Sequence, residues 1–264
     1  MATLSPNLNV MIKAAEKASK SLLRDYGEVE NLQTSKNGPA DFVKAAHKRA
    51  EDIIMAELVK SRPNFGFLTE LEGNIVGEDQ DQRWIIAPLN GTINFLHSLP
   101  NWSISIALEK DGEIISSLVY NPINDELFHA EKGRGAFSRN KRLRVSGRNK
   151  LKDCIISTTT PLPNSKNHEI HMKRINKINN LTSGIRMLNS PALDLAYVAA
   201  GKLDAFWEDE THLKPWDKAA SYLLIKESGG FCDDLKSNKS VYGNNLLAGN
   251  LDIRNDITKL LKSA

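Results

Sequence analysis

Four short stretches hold the side chains best suited to chemistry on an anionic substrate. Glu70 closes the apolar run FGFLTE. WIIAPLNGTINFLHSLP (84–100) is an apolar run that stops at Pro88, followed by a Gly91–Thr92 pair and an amphipathic segment. Asp217 sits in PWDKAAS, where a helical pattern begins, and SKNGPADFVKAAH (35–47) is a Gly/Pro loop running into another helix start. A buried strand ending in a loop that turns into a helix exposes backbone N–H groups, and such groups bind anions. Yet the loop carries Ala87 and Asn90 where charge is expected. Taken singly each stretch is ordinary, because a carboxylate at a strand end or helix start is usually a cap or a solvated charge.

The elements that must position these groups follow from periodicity. Leu8, Met11, Ile12, Ala15, Ala18 and Leu22 fall at helical spacing, and Gly27 is expected to end that helix. Val43, Ala46, Ala50, Ile53, Ile54 and Leu58 define a second amphipathic helix from Asp41, stopping before Pro63. SISIALE, EIISSLVY and ELFHAE are β-rich and separated by DG and NPIND turns, with KGRG after the last, which predicts an antiparallel meander. From Cys154 on, short apolar strands alternate with helices, one closed by Gly201 and another by Gly229–Gly230. Helices, a meander and then alternating elements predict a layered α+β protein. The expected organisation is one domain over 1–264, with a helix-and-sheet half to about residue 145 and an α/β half from about 146.

Composition narrows the function classes. The chain has 264 residues, 41% hydrophobic and 25% charged, enough for a full core in one large domain. Its formal charge of +3, read together with basic residues spread along the chain, argues against a nucleic-acid partner. No apolar run is long enough for a membrane span, and the N-terminus lacks a signal-peptide pattern, so the expected location is cytoplasmic. Cys154 and Cys232 lack metal spacing and read as two buried free thiols.

Taken together, FLTE (67–70), WIIAPLNGTINFLHSLP (84–100), and PWDKAAS with ESGG (215–230) resemble the inositol monophosphatase family, in its bacterial extragenic-suppressor branch. NPINDELFHAEKGRGAF and ALDLAYVAAGKLDAFWE also match family usage, and the likeness covers nearly the whole chain. The resemblance implies a five-layer αβαβα sandwich of the inositol monophosphatase and fructose-1,6-bisphosphatase type, a homodimer, and Mg²⁺-dependent hydrolysis of inositol monophosphate. It implies a carboxylate trough in which Glu70 binds metal and orients the attacking water, Asp217 binds a second metal, and Leu89 offers its carbonyl. Gly91 and Thr92 match the phosphate-holding amides, the Thr92 hydroxyl helps activate water, and Lys36 falls in the loop that faces phosphate.

This chain departs from that pattern. Ala87 stands where the family has the aspartate bridging both metals, and Asn90 where it has a second-metal aspartate. Lys44 and His47 stand where Thr and Asp are common, and Ile93 and Ser221 differ more mildly. Two carboxylates remain where the pattern has five, so the site is expected to hold Mg²⁺ weakly and catalysis to be severely impaired. Ala87 alone would suit an engineered trap, whereas the joint changes read as drift or repurposing. In the repurposed case, Lys44, Lys36 and His47 would take over charge neutralisation, and the protein would bind phosphate ligands or partner proteins of the transcription and RNA-processing machinery. Residual activity would instead require Glu72, Asp41 or water to replace the lost ligands.

Substrate contacts are expected from Glu208, Asp194 and Ser190. FWEDETHLKPWD is two residues longer than the family spacing, so either the loop bulges and Glu208 keeps its role or Glu210 takes it. Ser190 is equally placed to be a helix N-cap.

Overall fold

The computed structural model describes residues 4–32, 40–161, 167–208, 213–233, 241–243 and 245–263. Among them the helices are α1 (Pro6–Leu32), α2 (Ala40–Ser61), α3 (Thr92–Leu96), α4 (His168–Asn179), α5 (Pro191–Ala199), α6 (Pro215–Glu227) and α7 (Arg254–Lys262). The strands of the first half are β1 (Phe65–Thr69), β2 (Gly73–Ile75), β3 (Asp79–Asn90), β4 (Ser103–Lys110), β5 (Glu113–Asn121), β6 (Glu126–Glu131), β7 (Gly135–Ser138) and β8 (Lys141–Arg142). Those of the second are β9 (Ile155–Thr158), β10 (Gly184–Arg186), β11 (Ala205–Glu208), β12 (Phe231–Asp233) and β13 (Leu246–Gly249).

The first eight strands form one sheet in the order β2-β1-β3-β4-β5-β6-β7-β8, antiparallel except for the parallel β1–β3 pair. The other five form a second sheet, β10-β9-β11-β13-β12. The expected meander is thus β4–β5–β6.

Strand alternation builds the layers. Trp84 and Ile86 of β3 join Ile104, Ile106 and Leu108 of β4 in a core against α1 and α2. Ile85 and Ala107 point the other way, into a core with α5 and α6 that also takes Phe206 and Ala248 from the second sheet. The far face of that sheet, with Ile156, Trp207 and Leu247, packs on Ile178 of α4 and Ile257 and Leu261 of α7. The order is helix pair, sheet, helix pair, sheet, helix pair: the five-layer αβαβα sandwich.

One boundary differs from the periodicity reading. Gly27 does not end α1, which runs to Leu32. Val29 is fully buried beyond it, and the Tyr26 hydroxyl donates to the Ser98 carbonyl at 2.5 Å. Those contacts outweigh the ~1 kcal/mol a glycine costs inside a helix. Gly201 and Gly229 do follow α5 and α6, each at positive φ. Cys154 and Cys232 are buried and unpaired.

Candidate functional site

β3 ends at Asn90, Gly91 turns the chain at φ 94°, and α3 begins at Thr92. Only glycine fits there without strain, and a Cβ would also lie 2.8 Å from the Asn101 carbonyl. The Thr92 hydroxyl donates to the Leu89 carbonyl at 3.1 Å, holding the turn closed. Phe95 of α3 packs edge-on against Tyr26 and Trp102, which fixes the short helix to α1 and to the segment leading into β4.

Glu70 follows β1 on a turn held from below by a second carboxylate. Buried Glu51 of α2 accepts from the Thr69 hydroxyl at 3.2 Å and from the Leu71 N–H at 3.3 Å. Asp217 is the third residue of α6, and its Oδ2 accepts from the Lys214 N–H at 2.9 Å, so it caps the helix that carries it. Position 87 alternates onto the Ile85 face of β3, the side on which α6 lies. It pairs in register with Ser105, whose hydroxyl donates to the Trp216 carbonyl.

Glu70, Leu89, Asn90, Gly91, Thr92 and Asp217 line one cavity of about 640 Å³. The other expected site residues lie elsewhere. Ala87 is fully buried in β3 and Asp194 fully buried in α5, where it accepts from Ser157. Glu208 is buried behind Thr159, whose hydroxyl donates to it. Ser190 occupies the N-cap position of α5 but does not cap it, and its hydroxyl turns to Asn90 instead. Lys36 and Glu210 lie outside the described residues.

Asn90 is the best-determined polar group in the cavity wall. Its Oδ1 accepts from the Ala192 N–H at 3.0 Å and from the Ser190 hydroxyl at 3.1 Å, while Nδ2 donates to Asp217 Oδ1 at 2.8 Å. A backbone N–H can only donate, so Ala192 fixes which end of the amide is oxygen. The nitrogen, which has no lone pair for a cation, faces Asp217.

Electrostatics separate the remaining groups. Burial, then the Asp217 and Glu51 carboxylates, push Glu70 up to about 7. Burial pushes Asp217 up to about 6 against the pull of the Lys214 N–H, Lys218 and Asn90. His47 Nε2 is 3.4 Å from Glu70 Oε2 without a hydrogen bond, and burial lowers it to about 4. It is therefore a neutral imidazole at neutral pH and supplies no positive charge. Lys44 is exposed and 3.6 Å from Asp41, and neither lines the cavity. Glu72 is paired with Lys48 at 2.7 Å. Lys214 is the one cationic residue among those lining the cavity.

Magnesium asks for several convergent hard oxygens. This wall offers two carboxylates and an amide turned nitrogen-first, and Ala87 behind it brings no oxygen. Among the described residues no group of three or more His, Cys, Asp or Glu is placed to hold a metal. The donor set does not fit a two-metal cage.

Glu51 and Lys214 were missed from sequence. Glu51 was within reach, since it falls four residues after His47 on the same helix as buried Val43, Ala46 and Ala50. Three polar groups, His47, Glu51 and Glu57, on an otherwise apolar face are a signal of their own. Lys214 had none, because its position depends on how α6 meets the cavity.

The fold and the cavity at the end of β3 define a sugar-phosphatase-type sandwich. The sequence matches the inositol monophosphatase family over residues 3–263, and the chain belongs to that family. It is 49% identical over 256 residues to an inositol-1-monophosphatase of Mesorhizobium japonicum, covering 97% of this chain and 96% of that one. It is 37% identical to the Nus factor SuhB of Escherichia coli strain K12, over 94% of this chain and 92% of that one. Among solved structures, the extragenic suppressor protein suhB of Bartonella henselae superposes with a TM-score of 0.89 at 48% identity, over 98% of this chain and all of that one.

Proposed function

We propose that this member of the inositol monophosphatase family binds phosphate monoesters such as inositol monophosphate but hydrolyses them very slowly or not at all. The observation that carries this is the Asn90 side chain, whose carbonyl is committed to α5 and whose nitrogen is committed to Asp217. In the family's chemistry Mg²⁺ would polarise the phosphate and acidify the attacking water; Glu70 and Asp217 remain to hold it, but two of the other positions are an amide and a methyl group here. What remains is a cradle of Gly91 and Thr92 at the turn, with Lys214 as the nearby cation in place of Lys44 and His47. Glu208, Asp194 and Ser190 would then shape the pocket from behind its wall.

The test is inositol monophosphate hydrolysis across a Mg²⁺ titration, with the wild type beside an Ala87→Asp/Asn90→Asp double variant. A silent wild type and an active double variant support the reading. Ordinary Mg²⁺-dependent turnover by the wild type sinks it.

A second reading has the protein acting through partners, as a cytoplasmic homodimer. The names Nus factor and extragenic suppressor among its relatives favour it. So does the exposure of Ile93, Leu99 and Met187 on two segments that the Asn94 amide ties together. Inorganic phosphate in EDTA separates the two: a raised melting temperature supports the binder, and none supports the partner protein.

A further inference from the structure

Between Lys132 and Lys152 the chain carries nine basic residues and no acidic one. The net charge of +3 conceals this run because the rest of the chain is net acidic, and the expectation of evenly spread charge is corrected accordingly. All nine are exposed. The run begins at the β6–β7 turn, follows edge strand β8, and continues through an irregular segment to the 3₁₀ turn at Leu151–Asp153. Four of the nine meet carboxylates: Lys132 with Glu113, Arg134 with Glu131, Arg139 with Asp125 and Arg148 with Asp204. Lys141, Arg142, Arg144, Lys150 and Lys152 have no carboxylate partner among the described residues.

The plainest account is edge protection, since cations on an edge strand discourage another strand from pairing. That explains Lys141 and Arg142 on β8, but Arg144, Lys150 and Lys152 lie beyond the sheet.

We propose that this ribbon binds a nucleic-acid strand through its phosphates. No large apolar side chain is exposed between 132 and 152, so the ribbon lacks the anchor that the centre of a protein interface requires. Phosphate contact needs only cations. Among them stand Gly133, Ser138, Asn140, Gly147 and Asn149, small or polar residues that let a backbone approach. The run offers no exposed aromatic ring for base stacking, so binding is independent of base sequence. None of the five unpaired cations lines the cavity at Asn90, so this surface stands or falls separately from the phosphate site.

The test is fluorescence anisotropy of labelled single-stranded RNA and DNA of about 20 nucleotides with the full chain in EDTA. Both are expected to bind, with affinity falling about 100-fold between about 50 and 200 mM salt, the slope of ~3.5 that five released counterions imply. Lys141→Glu/Lys150→Glu/Lys152→Glu is expected to lose more than ~10-fold in affinity and to flatten the salt slope. The matching triple Lys→Arg variant keeps both, which separates charge from folding. No binding at the lowest salt, or equal binding by the charge-reversed variant, overturns the proposal. So does displacement by a polyglutamate peptide as effective as unlabelled oligonucleotide, which would assign the ribbon to an acidic protein.

Discussion

Asn90 Nδ2 lies 2.8 Å from Asp217 Oδ1 and donates to it, across 127 residues of chain. With Oδ1 accepting from Ser190 and Ala192, one amide ties β3 to both helices of the middle layer. A carboxylate at this position keeps the two acceptor contacts and loses the donor, leaving two acids face to face.

Asn90→Asp is therefore expected to lower stability by about 1–3 kcal/mol in EDTA, and Mg²⁺ is expected to restore it. The wild type is expected to melt at the same temperature with and without Mg²⁺. Parallel thermal melts check this, and an Asn90→Asp protein indifferent to Mg²⁺ counts against it.

Gly91→Ala places a Cβ 2.8 Å from the Asn101 carbonyl and 3.1 Å from Ser190 Cβ, at φ 94°. Strain and clash together are expected to cost about 1–3 kcal/mol in denaturant unfolding. The variant is also expected to lose the thermal protection given by inorganic phosphate. Full protection would remove Gly91 from the cradle.

Burial raises the Asp194 carboxyl to about 8, and Oδ1 has no hydrogen-bond partner among the described residues. The unfolded carboxyl titrates at an ordinary 3.8, so between that pH and about 8 the folded protein holds a proton that the unfolded chain has released. Stability from this group falls as pH rises through that window. Asp194→Asn removes the fall: its melting temperature is expected to exceed the wild type's by more at pH 8 than at pH 4. An equal difference at both would place the proton elsewhere.

Phe95 is fully buried between Tyr26 and Trp102. Phe95→Ala is expected to cost about 3–5 kcal/mol, and Phe95→Leu distinctly less. Chemical denaturation measures both, and near-equal losses would mean that ring geometry rather than volume holds α3.

Much of the site was legible because local patterns encode local geometry. The apolar run into Gly91–Thr92 announced a strand turning into a helix, and FLTE and PWDK marked the carboxylates that join it at one cavity. The pattern at Glu208 and Asp194 was legible only as an order of residues. Both side chains are buried, which spacing along the chain does not report.

By itself, the sequence determined the family, the alternation that builds five layers, and the absence of acids at positions 87 and 90. Tertiary structure decided which way the Asn90 amide points, that His47 is neutral, that Lys44 pairs with Asp41 away from the cavity, and that α1 passes through Gly27. The division has one physical cause. Periodicity is written in neighbouring residues, whereas desolvation and hydrogen-bond partnership are set by groups distant in sequence that only packing brings together.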